Sequence, residues 1–521
     1  MFLFTPLLGA QSNSQGCQSL LELDNGIKIL IDVGWDETFD VRMLAELERF
    51  VSKLYIYYQQ LGKLLISFFF PLRYRHTPTI DLVLLTHPTL THMGAYAHAC
   101  KHIPNFSSIP VYSTFPVSNL GRLLLQDIYL STPLACTHLL DATTGGSGPH
   151  ALLPTGEVPA DALKLPPTSA EIDSYCTKIV TLKYSQPTPL HSAAARVSGK
   201  LGSITITAYA AGHSLGGTIW KVQQAQEAIV YAVDWNHSRE NCLRGAGFIS
   251  GGGVSVETLG KPTALICSAK NSEVVNVAGG RKKRDEMLLE AIKKTALEKG
   301  GTVLIPTDSV GRVLELVYLL EHAWRTDQEL SASRSKGKGV GLFLAGRRVR
   351  RLGQVVGSML EWMDEGVVRE FESIAGGDRR GRQRDDAEGK GNDGNKAGPF
   401  DFIHLNLVST QSHLNRVLAD GDRGKVILAS DSSLAWGFSR EALVKLAADE
   451  RNLVVLTERS DGGSGWAGSL WQQWKERTSG GAGEEKVVAG WQDVSLEGQQ
   501  VHLEVLQASL RTTAIQQLTS T

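Results

Sequence analysis

Leu84-Leu85-Thr86-His87-Pro88-Thr89-Leu90-Thr91-His92 closes an apolar run, residues 81–85, and carries two histidines five residues apart. A short apolar run ending in a polar, proline-containing loop predicts a buried strand. Imidazole nitrogens delivered at a strand end are donors that Zn²⁺ accepts. Between the histidines stand Thr89 and Thr91. Their neutral hydroxyls bind such an ion poorly and bring no charge to offset it. The loop offers two candidate metal donors separated by two threonines.

Upstream, Ser19-Leu-Leu-Glu-Leu23, the turn Asp24-Asn25-Gly26 and Ile27-Lys-Ile-Leu-Ile-Asp32 predict a hairpin with an Asx-Gly turn. The order strand, Asp32-Val33-Gly34, helix, strand, histidine loop suggests a layered α/β architecture with functional residues at strand ends. Residues 51–76 are dense in Tyr, Ile, Lys and Phe, unlike the rest. They read either as an insertion, such as translated intron, or as a buried helix. Residues 144–149 and 251–253 are Gly-rich breaks. Residues 376–398 are charged, Gly-rich and nearly without apolar side chains, so a disordered loop is expected there. Helix-sized segments at 284–299 and 310–324 alternate with strand-like runs at 302–306, 425–429 and 453–457. That alternation predicts a second α/β unit with a parallel sheet.

The 521 residues suffice for two or three domains, and 53 Lys+Arg against 54 Asp+Glu leave a net charge of -1. No global attraction to a polyanion follows, so nucleic acid would have to meet local basic patches. Six scattered cysteines with no C-x-x-C pair argue against a disulfide scaffold or a thiolate zinc cluster. The most apolar run, residues 64–70, is far short of the ~18–20 residues that cross a bilayer. A soluble, intracellular chain with no membrane partner is expected.

Gly212-His213-Ser214-Leu215-Gly216 matches the G-x-S-x-G nucleophile elbow, which needs a strand before it and a helix after. Here a strand-like run, residues 218–222, and a second, residues 228–234, follow instead. A hairpin does not build the exposed, strained serine, so Ser214 is rejected as a nucleophile. His213 ends one strand and Asp234 another, and a bridging carboxylate suits two metals that share a hydroxide. Asp32, His87, His92, His213 and Asp234 make an ordered set.

That set resembles the metallo-β-lactamase family with an inserted β-CASP domain, whose ordered motifs are Asp; His-x-His-x-Asp-His; His; Asp. Within it the chain is most similar to the catalytically inactive branch of the cleavage and polyadenylation specificity factor. The resembling stretches include Ile31-Asp-Val-Gly-Trp35, Leu84-Leu-Thr-His87, Gly121-Arg-Leu-Leu-Leu-Gln-Asp-Ile-Tyr129 and Ala211-Gly-His-Ser-Leu-Gly-Gly-Thr-Ile-Trp220. Val233-Asp-Trp-Asn-His237, Arg281-Lys-Lys-Arg-Asp285, Gly311-Arg-Val-Leu-Glu-Leu316, Ser358-Met-Leu-Glu-Trp-Met363 and Trp436-Gly-Phe-Ser-Arg-Glu441 continue them. The resemblance implies an αββα sandwich over 1–265, a β-CASP α/β domain over 266–465, and a partial return to the first domain over 466–521. It also implies that the chain stops short of the family's C-terminal region.

Carried over residue by residue, the resemblance makes Asp32 a residue that orients the ligand loop rather than a ligand. His87, His92, His213 and Asp234 fall on metal-ligand positions. Thr89 and Thr91 replace a His and an Asp, Cys267-Ser268 stand where a β-CASP carboxylate belongs, and Gln473 stands for the leaving-group histidine. The last metal histidine has no counterpart. His87, His213 and Asp234 could still gather one zinc, leaving His92 an orphan; otherwise no cofactor is expected. The implied function is a non-catalytic scaffold in nuclear pre-mRNA 3′-end processing, partnered by the active endonuclease subunit, a symplekin-like scaffold and pre-mRNA. An active mononuclear zinc hydrolase or ribonuclease is the alternative. Arg281, Lys282, Lys283 and Arg284 open a predicted helix, where cations oppose the dipole by ~0.3–1 kcal/mol each. They read either as an RNA phosphate contact or as a solvated or nuclear-import face. Arg347, Arg348, Arg350 and Arg351 invite the same reading.

Overall fold

The computed structural model describes residues 2–10, 14–45, 80–133, 163–190, 204–248, 261–268, 280–331, 339–382, 398–420, 424–457, 466–471, 490–496 and 499–507, with 47, 136, 138–139 and 259. The segments at 51–76, 144–149 and 251–253, and Gln473, lie outside the described residues. No helix among the described residues is long and apolar enough to cross a membrane.

The first sheet has six strands in the order Phe2–Leu8, Gln18–Leu23, Lys28–Ile31, Leu82–Leu84, Val111–Thr114 and Val180–Leu182. The expected hairpin is its antiparallel start, with Ser19 opposite Ile31 and Gly26 in the left-handed region at φ 79. From Lys28–Ile31 onward every pairing is parallel. Parallel strands are covered on both faces, which is why Leu82-Val83-Leu84 reads as unbroken hydrophobics and is wholly buried. A second sheet has five strands, ordered Ala264–Cys267, Glu227–Ala232, Thr218–Gln224, Ile204–Ala210 and Thr188–Pro189. The third has seven, ordered Leu405–Val408, Gly341–Ala345, Lys425–Ser430, Thr302–Thr307, Leu453–Leu456, Gln499–Gln507 and Gly490–Leu496.

The chain divides into two compact units, 1–208 with 220–228, and 209–219 with 229–521. In the first, Leu20, Ile29, Leu30, Ile31, Val83 and Leu84 are fully buried, each contributing about 1.5–3 kcal/mol. Helix Phe115–Ser131 packs on strand Val111–Thr114 and on helix Ser169–Cys176.

In the second unit, the core of the seven-stranded sheet is built from residues such as Leu304, Ile427, Val454, Phe438 and Leu443. Helices Gly280–Ile292 and Val313–Thr326 occupy the two expected helical segments with shifted bounds. The second starts at Val313 because the Asp308 carboxylate accepts the backbone N–H groups of Gly311, Arg312 and Val313 at 2.8 Å each. Arg312 is the N-cap and Val313 the first helical residue, so two of the helix's orphan donors are satisfied at once.

Two expectations need correction. Helix Glu365–Arg382 runs through 376–382, the start of the segment expected to be disordered. Its Arg and Glu content tolerates Gly376 and Gly377, which cost about 1 kcal/mol each in a helix interior; residues 383–397 lie outside the described residues. The backbone of Gly490–Leu496 and Gln499–Gln507 does not return to the first sheet. Gln499–Gln507 runs parallel to Leu453–Leu456 and Gly490–Leu496 closes a hairpin on it. Leu453–Leu456 is buried throughout, and a buried strand edge must find hydrogen-bond partners.

Candidate functional site

Asp32 ends strand Lys28–Ile31 beside the end of Leu82–Leu84, and its N–H bonds Leu84 O at 2.9 Å. Its backbone is left-handed, φ 64, uncommon for a residue with a Cβ. That turn aims a fully buried carboxylate at Thr86, which donates to it from both N and Oγ1 at 2.7 Å. Thr86 Oγ1 spends its one proton on Asp32, so it must accept from His87 Nδ1, 2.9 Å away. The chain Asp32–Thr86–His87 therefore fixes the Nδ1–H tautomer and leaves a lone pair on His87 Nε2.

Thr89 precedes the short helix Leu90–Met93, which carries Thr91 and His92. His92 Nδ1 lies 2.7 Å from Thr89 Oγ1 and 3.0 Å from Thr91 Oγ1, and the two hydroxyls are 3.1 Å apart. The His87 and His92 rings sit 4.8 Å apart at 47°. Both threonines are thus turned to the imidazole of His92. On the positions that the resemblance assigns to an imidazole and a carboxylate, this loop has neutral hydroxyls already engaged. The donor set does not fit a two-metal centre.

Backbone hydrogen bonds draw a third segment into the loop. Cys17 N donates to Thr91 O at 2.7 Å, Gly34 N to Cys17 O at 3.0 Å, Val33 N to His92 O at 2.8 Å and Trp35 N to Leu90 O at 3.0 Å. A Cβ on Gly34 would lie 1.8 Å from Thr91 O, so only glycine permits this approach. One group of three metal-competent donors gathers here among the described residues: Cys17 Sγ, an Asp32 carboxylate oxygen and a His92 ring nitrogen, all within 4.8 Å of one another. Cys17 has no motif spacing to announce it. The hairpin register does: Ser19 opposite Ile31 puts Cys17 across from Val33, next to Asp32.

His213 and Asp234 belong to the second unit. His213 is buried in the loop after strand Ile204–Ala210, and its carbonyl accepts from Arg312 Nη1 at 2.8 Å. Arg312 Nη2 also reaches both Glu240 oxygens, at 3.0 and 2.8 Å, and Asn236 Nδ2 donates to Glu240 at 2.8 Å. Burial pushes the Glu240 carboxyl up while the Arg312 guanidinium works against it. Gly212, φ 75, is required because a Cβ would come within 2.1 Å of Asn236 O. Ser214 is buried, its hydroxyl has no hydrogen-bond partner among the described residues, and strand Thr218–Gln224 follows rather than a helix. No nucleophile elbow forms. Asp234 follows strand Glu227–Ala232 with φ 42. Cys267 is exposed at the end of the neighbouring strand, paired with Ala232.

Of the basic run, Lys282 and Lys283 are exposed and Arg281 is partly so, donating to Arg239 O at 2.8 Å. Arg284 is 6% exposed and holds Asp285 through Nε and Nη2 at 3.0 and 2.8 Å. An inward, paired guanidinium is not available to a phosphate, so the surface run shortens to three cations. In the other basic stretch Arg347 lies over the Phe438 ring, 5.2 Å from its centroid.

A histidine loop at parallel strand ends, followed by a second unit with its own largely parallel sheet, defines the class. Residues 69–266 match the metallo-β-lactamase superfamily domain and residues 313–465 the β-CASP domain, so the chain carries both. Its homologues include cleavage and polyadenylation factors. It is 32% identical over 381 residues to cleavage factor two protein 2 of Schizosaccharomyces pombe, covering 73% of this chain and 38% of that protein. It is 31% identical over 460 residues to cleavage and polyadenylation specificity factor subunit 2 of Arabidopsis thaliana, covering 88% and 48%. Endoribonuclease ysh1 of Emericella nidulans is 26% identical over 371 residues, covering 70% and 38%. The chain spans less than half the length of each of these relatives.

Proposed function

We propose that this chain is a non-catalytic member of the pre-mRNA cleavage and polyadenylation machinery, a nuclease fold used as a scaffold in the nucleus. One observation carries the reading: Thr89 and Thr91 stand on ligand positions and bond His92 Nδ1. In-line attack on a phosphodiester by two metals needs both ions to generate the hydroxide and to steady the attacking and leaving oxygens. The loop retains two of its four donors, so no hydroxide is made and nothing is cut. The relatives' names support the setting, and partnership with the active endonuclease subunit, a symplekin-like scaffold and pre-mRNA belongs to the same proposal. RNA contact is assigned to Arg281, Lys282 and Lys283. A second reading, hydrolysis by a single zinc through His87, draws on the fixed Nδ1–H tautomer that leaves Nε2 ready for a metal.

The test is RNA cleavage by the purified chain with added Zn²⁺, beside Thr89→His/Thr91→Asp. Wild type is expected to leave RNA intact, and the double variant to bind more metal per chain. Cleavage by wild type that disappears in His87→Ala would establish the single-zinc enzyme instead.

A further inference from the structure

We propose that Cys17, Asp32 and His92 form a single zinc site, in which a thiolate from outside the loop takes over metal binding that the loop has lost. The proposal rests on the reading above that the two-metal centre is gone. Three observations carry it.

The donors converge: Sγ, a carboxylate oxygen and a ring nitrogen lie within 4.8 Å of one another. Zinc bonds of ~2.0–2.3 Å in tetrahedral geometry separate ligand atoms by roughly 3.5 Å. Closure therefore asks for about 1 Å of side-chain movement.

The donors sit on a fixed frame. The hydrogen bonds from Cys17 to Thr91, Gly34 to Cys17 and Val33 to His92 tie the three donor segments directly to each other. Thr86 occupies two of the roughly four acceptor sites of the Asp32 carboxylate. The Thr89 and Thr91 hydroxyls hold the His92 ring at Nδ1, the kind of outer partner that orients a metal-bound imidazole. On this view the threonines are not gaps but supports.

The charges and hardness match. Thiolate and carboxylate together neutralise a divalent cation, and a sulfur ligand favours Zn²⁺ over Mg²⁺ or Ca²⁺. On binding, the S–H bond of Cys17 breaks, its proton leaves to solvent and a Zn–S bond forms. Asp32 and His92 are buried while Cys17 is partly exposed, so the ion enters past Cys17 and a water completes the fourth position.

The test uses the full chain, stripped with chelator and titrated with Co²⁺. The expected result is a near-ultraviolet thiolate-to-cobalt charge-transfer band that Zn²⁺ displaces, with one zinc per chain by metal analysis. Cys17→Ser should abolish the band and weaken zinc binding by more than the ~10–100-fold that loss of an outer hydrogen-bond partner costs. Circular dichroism of the stripped variant checks that it folds. Independently of any variant, Zn²⁺ should protect the Cys17 peptide of the wild-type chain from alkylation. No charge-transfer band, or zinc that binds Cys17→Ser as tightly as wild type, overturns the proposal. RNA cleavage scored on the same samples reports separately on the non-catalytic reading, because the band depends on Cys17 whether or not RNA is cut.

Discussion

The Thr86 hydroxyl has one proton and two claimants, and that arithmetic orders the loop. It gives the proton to Asp32 and accepts from His87, all three groups being fully buried. Thr86→Val keeps the shape and removes both bonds, leaving a buried carboxylate oxygen short of a donor. The expected loss is about 1–3 kcal/mol of stability, read by urea denaturation, with Thr86→Ser largely rescuing it. A Val variant as stable as wild type would show that the relay does not hold the loop. At this scale the sequence shows two threonines standing between the loop's histidines but not which way their hydroxyls turn. Thr89 and Thr91 read only as lost ligands, because their bonds to His92 depend on rotamers that spacing does not encode. Cys17 was hidden for a different reason: its nearness to Asp32 follows from strand register rather than from any motif.

Helix ends follow local chemistry where a cap is written in the residues. Thr168 Oγ1 accepts from Glu171 N at 3.3 Å and Glu171 Oε2 accepts from Thr168 N at 2.8 Å, a capping box that starts helix Ser169–Cys176. Thr168→Ala should cost ~1 kcal/mol. Partial burial pushes the Glu171 carboxyl up, but Lys101 at 2.9 Å and the Thr168 donors outweigh it and hold it below its ordinary 4.5. A depressed carboxylate stabilises the fold above its unfolded pKa and stops doing so as pH falls through its folded one. The stability gap between wild type and Glu171→Gln should therefore be full at neutral pH and close on acidification below 4.5. A gap that stays constant with pH would assign the effect to packing. Expected helix 310–324 instead begins at Val313 because Asp308 caps it, a side chain-to-backbone bond that hydrophobic periodicity does not register.

Across the whole chain, apolar runs buried on both faces made the parallel strands legible, Leu82–Leu84 and Thr302–Thr307 among them. Those runs did not foretell where Gly490–Leu496 and Gln499–Gln507 pair, because neighbours distant in sequence are chosen by which buried edge is open. Charge is a property of the same scale. With a net charge of -1, the protein has no long-range pull on RNA, so the proposed RNA contact would rest on a few local cations and should be strongly screened by salt. Arg281, Lys282 and Lys283 are the part of their run that reaches solvent; Arg284 does not. Each phosphate contact to single-stranded RNA contributes about 0.7 to the slope of log affinity against log salt. Replacing all three by Ala should flatten that slope by up to about 2 and weaken binding alike for unrelated sequences, as phosphate contacts do. Arg284→Ala should instead lower stability, by removing the partner of the largely buried Asp285, with little change in the slope. Filter binding of a fluorescent single-stranded RNA over a salt series measures both. A triple variant with an unchanged slope would leave the run a solvated face and move the search for RNA contacts elsewhere on the molecule.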